Sequence, residues 1–235
     1  MTRNGGGSQV GSRHRHRAGT SGGRILRWLG LITVLCGLVV LADVAYRVWD
    51  PAASQSQHKL SNQLRSQWRD RQDVPVARKL HPKVGQPFAF MRIPKFGRHW
   101  RFAIVEGTSL TQLASGPGHV RGTQFPGQPG NFAVAAHDIT AGNPFLHLAS
   151  MRAGDAIYVT TINGTYRYRV TSERVVRYTD TSVLEPVPGH PSLAPTEQYV
   201  TLITCTPVTL DFTPWRIVVT GVLASFAPNY QAGQH

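Results

Sequence analysis

The sequence predicts an all-β domain, a barrel or a sandwich, held behind one N-terminal membrane-spanning helix. Three observations lead to this fold class. About seven or eight short runs rich in Val, Ile, Tyr and Thr follow one another from Gly85 onward, the pattern of a many-stranded β domain. Twenty-three glycines and sixteen prolines punctuate the chain of 235 residues, which suits one domain with many turns rather than two domains. The longest apolar run sits near the N-terminus, behind a cluster of arginines.

That run reads WLGLITVLCGLVVLA, from Trp28 to Ala42, and carries no charge. Arg3, Arg13, Arg15, Arg17, Arg24 and Arg27 precede it, the excess that marks the cytoplasmic flank of a membrane span. It is short against the roughly 20 residues a spanning helix needs, but the stems of Arg24 and Arg27 extend it by snorkelling. A cleaved signal peptide is the competing reading; Asp43 between Ala42 and Ala45 makes a poor cleavage site. The expected organisation is a disordered basic cytoplasmic tail over 1–24, a single-pass anchor over 25–49, and an extracytoplasmic stalk over 50–84. A catalytic-sized β domain follows over 85–225, then a flexible terminus over 226–235. In the stalk, Leu60, Leu64 and Trp68 recur every four residues and predict a short docking or membrane-surface helix.

Within the domain, Phe88–Ile93 and Arg101–Glu106 read as strands and Leu110–Ala114 as a short helix. Gly116–Pro129 reads as turns. Asn131–Ala136 is a continuous apolar strand ending at His137, and Pro144–Met151 a helical turn. Ala156–Ile162 and Thr165–Val170 read as a hairpin whose turn is a type I′ Asn163-Gly164. Arg174–Tyr178 is a separate strand, Glu185–Pro195 a Pro/Gly-rich loop, and Tyr199–Thr204 and Trp215–Leu223 close the fold.

The formal net charge of +13 and the pI near 10.7 call for an anionic neighbour. The densest basic cluster lies in the topology-setting tail and no recognition motif accompanies it, so no nucleic-acid partner is expected.

Cysteine usage points to the chemistry. Of the two cysteines, Cys36 lies inside the apolar run, so Cys205 is an exported thiol without a disulfide partner. It ends the apolar strand TLITC, where a side chain faces either a groove or the core. A reactive thiol needs a base or an electropositive neighbour. Among ten histidines, His137 alone ends a core strand, while His99, His119, His147 and His190 read as polar loop or turn residues. Arg216 opens the last strand, eleven residues after Cys205. If those strands pair antiparallel, the guanidinium sits beside the thiol. A surface arginine is the alternative. Asp138 and Asp211 are candidate partners of His137 or Arg216.

The segments NFAVAAHDIT, PFLHL, TLITCTP and WRIV, with VRGTQFPGQPGN upstream, together resemble the sortases. The resemblance runs in order from Gly85 to Leu223 and is most like class E sortases of high-GC Gram-positive bacteria. One departure is that Ala136-His137-Asp138 stands where that family usually has Gly-His-Arg. The resemblance implies a closed eight-stranded sortase-type β-barrel with short helices. It implies a cysteine transpeptidase with Cys205 as nucleophile, His137 as acid and base, and Arg216 stabilising an oxyanion, without metal or cofactor. It also implies the partners: secreted proteins bearing an LAxTG/LPxTG-like C-terminal sorting signal, and a peptidoglycan-precursor (lipid II-type) amine acceptor. An exported cysteine peptidase using the same residues, and a non-catalytic tethered β module binding wall polymers, are the alternatives.

Overall fold

A computed structural model describes residues 21–48, 51–69, 79–206 and 213–229. The basic tail to residue 20, Asp211 and the last six residues lie outside them. The chain forms two compact units, Met1–Ala45 and Tyr46–His235.

The first unit is built on helix α1, Ser21–Val48. Its stretch Leu26–Asp43 has a mean hydropathy of 1.9, long and apolar enough to cross a membrane, and its apolar side chains stand exposed.

The second unit begins with α2, Pro51–Arg69. The Leu60, Leu64 and Trp68 stripe packs on Phe90 and Ala103 of the β domain, and Leu64 is 1% exposed. Gln57 fixes the same face by backbone-like bonds. Its Oε1 accepts from Ala103 N–H at 2.8 Å, and its Nε2 donates to the carbonyls of Ala103 and Ser115. The helix is part of the domain's packing.

Eight strands close into a barrel: β1 Pro87–Arg92, β2 Phe102–Glu106, β3 Gly118–His119, β4 Gly130–Ala135, β5 Ala156–Thr161, β6 Gly164–Arg177, β7 Gln198–Thr206 and β8 Trp215–Pro228. Their order around it is β1-β2-β3-β4-β7-β8-β6-β5. Alternation fills the interior, with Ile157 and Val159 from β5, Tyr166, Tyr168 and Val170 from β6, and Val200 and Leu202 from β7. Strand β4 is buried over Gly130–Val134 because both its faces are covered: Phe132 and Val134 enter the core, while Asn131 Nδ2 donates to Val183 O of the β6–β7 connection at 2.9 Å.

Four expectations are corrected. The hairpin pairs Thr161 with Gly164, so its turn residues are Ile162 and Asn163. Among described non-glycine residues only Ala141 and Asn143 have positive φ, so the turn is not type I′. Gly164 is needed for proximity: a Cβ there would lie 2.3 Å from Ala227 O and 2.7 Å from Phe226 Cε2 on β8. Arg174–Tyr178 is no separate strand, because β6 runs on to Arg177 through a register shift between Val170 and Ser172, with Thr171 Oγ1 bonded to Thr220 O. The turn-rich stretch holds β3, too short to leave a periodicity. Finally, His119 is no surface residue. It is 1% exposed, with Nδ1 2.7 Å from Glu106 Oε2 and its ring against Phe88, Phe125 and Phe132.

Candidate active site

Three neighbouring strands deliver the three candidate residues to one end of the barrel. In the antiparallel β7–β8 ladder Cys205 pairs directly with Arg216. Strand β4 runs parallel to β7, with Ala135 opposite Ile203. The pairing continues past the strand, since Ala136 N–H donates to Ile203 O at 3.1 Å and Thr204 Oγ1 donates to Ala136 O at 2.8 Å. His137 therefore leaves β4 at the level of Cys205, on the side of β7 away from Arg216. The chain between Phe145 and His137 is pinned by Phe145 N–H donating to His137 O at 3.0 Å.

Thr204 was not singled out by sequence reasoning. Its side chain is buried and points away from the face of Cys205, as strand alternation requires. A hydroxyl in the residue just before a strand-end cysteine is its only signature.

Arg216 is half-buried and oriented by its own strand end. Nη1 donates to Thr213 O at 2.7 Å and to Trp215 O at 2.8 Å, which leaves the Nη2 and Nε donors unused by those bonds. Its guanidinium lies 5.9 Å from the Tyr178 ring centroid. Tyr178 N–H in turn donates to Pro214 O at 2.8 Å, so the start of the β6–β7 connection is tied to this corner. Thr213 Oγ1 bonds the Thr206 carbonyl and accepts from Trp215 N–H, closing the ends of β7 and β8 on each other.

The electrostatics follow from half-burial. Cys205 and His137 are both of intermediate exposure. Burial pushes the Cys205 thiol up; the Arg216 charge opposes this and the Asp138 charge adds to it. Burial pushes His137 down, and the Asp138 charge pulls it part of the way back. Near neutral pH the resting pair is thus thiol and neutral imidazole. Asp138 is 6% exposed; its Oδ1 accepts from Ile139 N–H at 2.8 Å, while its Oδ2 is buried without a hydrogen-bond partner. Neither cysteine is in a disulfide. His99, His147 and His190 are exposed, and no cluster of potential metal ligands occurs among the described residues.

Comparison with known proteins gives the lineage. The chain is 30% identical to Sortase SrtE1 of Streptomyces coelicolor over 94% of its length, and spans 64% of that relative. Its fold matches sortase E of Streptomyces avermitilis with a TM-score of 0.56 at 36% identity, covering 62% of this chain and 93% of that one. It also matches Sortase E1 of Streptomyces coelicolor, solved with a tripeptide in the active site. There the TM-score is 0.56 at 31% identity, over 63% and 94% of the two chains. The family model for the Sortase domain matches residues 91–224, and the chain belongs to the sortase family, on its class E-like side.

Proposed function

We propose that this protein is a membrane-anchored cysteine transpeptidase. On this reading it cleaves an LAxTG/LPxTG-like sorting signal between Thr and Gly and joins the released carboxyl end to a peptidoglycan-precursor amine. The observation that carries the reading is the register: a thiol paired directly with an arginine across one ladder, and an imidazole at the same level of the strand on the other side.

The chemistry follows from the arrangement. The Cys205 thiolate attacks the threonyl carbonyl carbon, and the Nη2 and Nε donors of Arg216, not engaged by its bonds to Thr213 O and Trp215 O, take the developing oxyanion. His137, as imidazolium, protonates the departing glycine amine as the C–N bond breaks, leaving a thioester on Cys205. The acceptor amine then attacks the thioester, passes its proton to His137 and expels the thiolate. The proton ledger closes over the cycle. Because burial favours the neutral pair at rest, the reactive ion pair is a minor population that Arg216 enlarges. The connection between Tyr178 and Tyr199 borders this corner and is assigned to the substrate groove. The apolar helix α1, with arginines before it, supports a single-pass anchor with the barrel outside the cell, where signal and acceptor are both held.

The test is partition. The full chain in detergent, given a sorting-signal peptide, should release the glycine fragment and, on adding an amine acceptor, shift its product from free acid to the new amide. Free acid alone at every acceptor concentration would replace the transferase with a peptidase.

A further inference from the structure

Helix α2 and the barrel flank an open cleft of about 240 Å³, lined in part by Ser54, His58, Ser61, Arg101 and, from the chain that follows His137, Gly142. We propose that this cleft binds a phosphate-bearing group, a phosphate ester or diphosphate, between α2 and the start of β2.

The walls are built rather than incidental. Gln57, which also lines the cleft, spends its amide on the backbone of Ala103 and Ser115, so it serves as wall and leaves ligand contacts to its neighbours. About two and three turns further on, Leu64 and Trp68 anchor the helix on Phe90. The Arg101 guanidinium carbon lies over the Phe90 ring, 3.7 Å from its centroid, a cation–π contact that holds the side chain beside this packing.

Among the described residues no ion pair neutralises the charge in the cleft. Helix α2 contains no Asp or Glu, and carries His58, Lys59, Arg65 and Arg69. Ser54, His58, Ser61 and Arg65 follow at helical spacing along one stripe. None of the described ion pairs, Lys95–Asp155, His119–Glu106 and Arg152–Glu173, involves Arg65 or Arg101. Burial and then the nearby Arg65 charge both depress the Arg101 pKa, so the two guanidiniums sit close enough to repel each other. An anion between them removes that repulsion. A planar guanidinium fork, an imidazole and two serine hydroxyls form a donor set for an anion with several oxygens in different directions. That is phosphate rather than a single planar carboxylate. In the chain α2 follows the apolar helix within a few residues, and phosphate headgroups are the anions that an anchored protein meets at that point.

The proposal is independent of the transpeptidase reading, and its test does not use turnover. The full chain in dodecyl maltoside micelles, which carry no phosphate, is titrated calorimetrically with inorganic diphosphate and, in a second arm, with phosphatidylglycerol added to the micelles. Acetate is the carboxylate control. Saturable one-to-one binding is expected in at least one phosphate arm. Arg101→Gln and Arg65→Gln should each weaken it about tenfold, the loss of a charge-assisted contact. Arg101→Lys should retain more affinity than Arg101→Gln. Arg169→Gln, an exposed arginine on the barrel wall, removes the same charge elsewhere and should leave binding unchanged. If Arg101→Gln fails to fold, the exposed Arg65 carries the test. Saturation by diphosphate but not by phosphatidylglycerol assigns a soluble or diphosphate-linked ligand, and the converse a lipid headgroup. No saturable binding in either arm, equal binding of acetate, or equal loss in Arg169→Gln would overturn the proposal.

Discussion

Arg216→Gln separates the two tasks assigned to this side chain. Its Nη1 is already committed to Thr213 O and Trp215 O, so Nη2 and Nε are the donors for an oxyanion, and glutamine at this position replaces that fork with one amide. Removing an oxyanion donor costs about 10²–10³ in kcat. A second loss adds to it, because the Arg216 charge holds the Cys205 thiol down against burial. Without it the thiol titrates higher, and each unit of rise removes about a further tenfold from the ion-pair population. The assay is peptide cleavage as a function of pH, with iodoacetamide alkylation of Cys205 as a turnover-free reading of its titration. In the native protein the acid limb should follow His137, which burial lowers, and the alkaline limb Cys205, which burial raises. Arg216→Gln should lower the plateau at least 10²-fold and move the alkaline limb and the alkylation midpoint to higher pH, leaving the acid limb in place. Arg216→Lys should keep the alkaline limb, since the charge remains, but lose most of the plateau with the fork. A plateau loss below about tenfold, or an alkylation midpoint that stays or falls, would refute the role given to Arg216.

Asp138→Asn keeps an acceptor for Ile139 N–H but removes a charge that raises both Cys205 and His137. Both limbs of the pH profile should therefore move to lower pH with a similar plateau; movement of one limb alone would contradict this. Leu64→Ala, at the interface of α2 with Phe90 and Ala103, should cost about 2–5 kcal/mol in thermal or denaturant unfolding while sparing activity at low temperature. A loss below about 1 kcal/mol would mean that α2 is not part of the cooperative unit. Gly164→Ala places a Cβ against Ala227 O, at a φ of +152° that residues with side chains rarely adopt, and should cost about 2 kcal/mol, a Tm drop of about 6 °C; an unchanged Tm would contradict this.

The candidate site was legible because each of its residues ends or begins an apolar strand. TLITC, NFAVAA before His137 and WRIV after the loop are runs whose boundaries a reader can mark, and antiparallel pairing of the last two strands places Arg216 opposite Cys205. What was not legible depended on partners distant in sequence. His119 looks like a loop histidine until Glu106 and three phenylalanines close around it. Gly164 looks like a turn glycine until β8 is laid across it. The two halves of β6 read as separate strands because the residues that join them, Thr171 to Glu173, are polar and a bulge breaks the alternation. The stripe on α2 was readable, but the surface it covers was not.

The central claim is that Cys205 forms the thioester. The full chain is incubated with a sorting-signal peptide, quenched in acid, and weighed intact and after digestion. The account predicts an added mass equal to the acyl fragment ending in threonine, mapped to Cys205, discharged by an amine acceptor and absent in Cys205→Ala. Continued peptide conversion by Cys205→Ala, or an acyl adduct on any other residue, would contradict it.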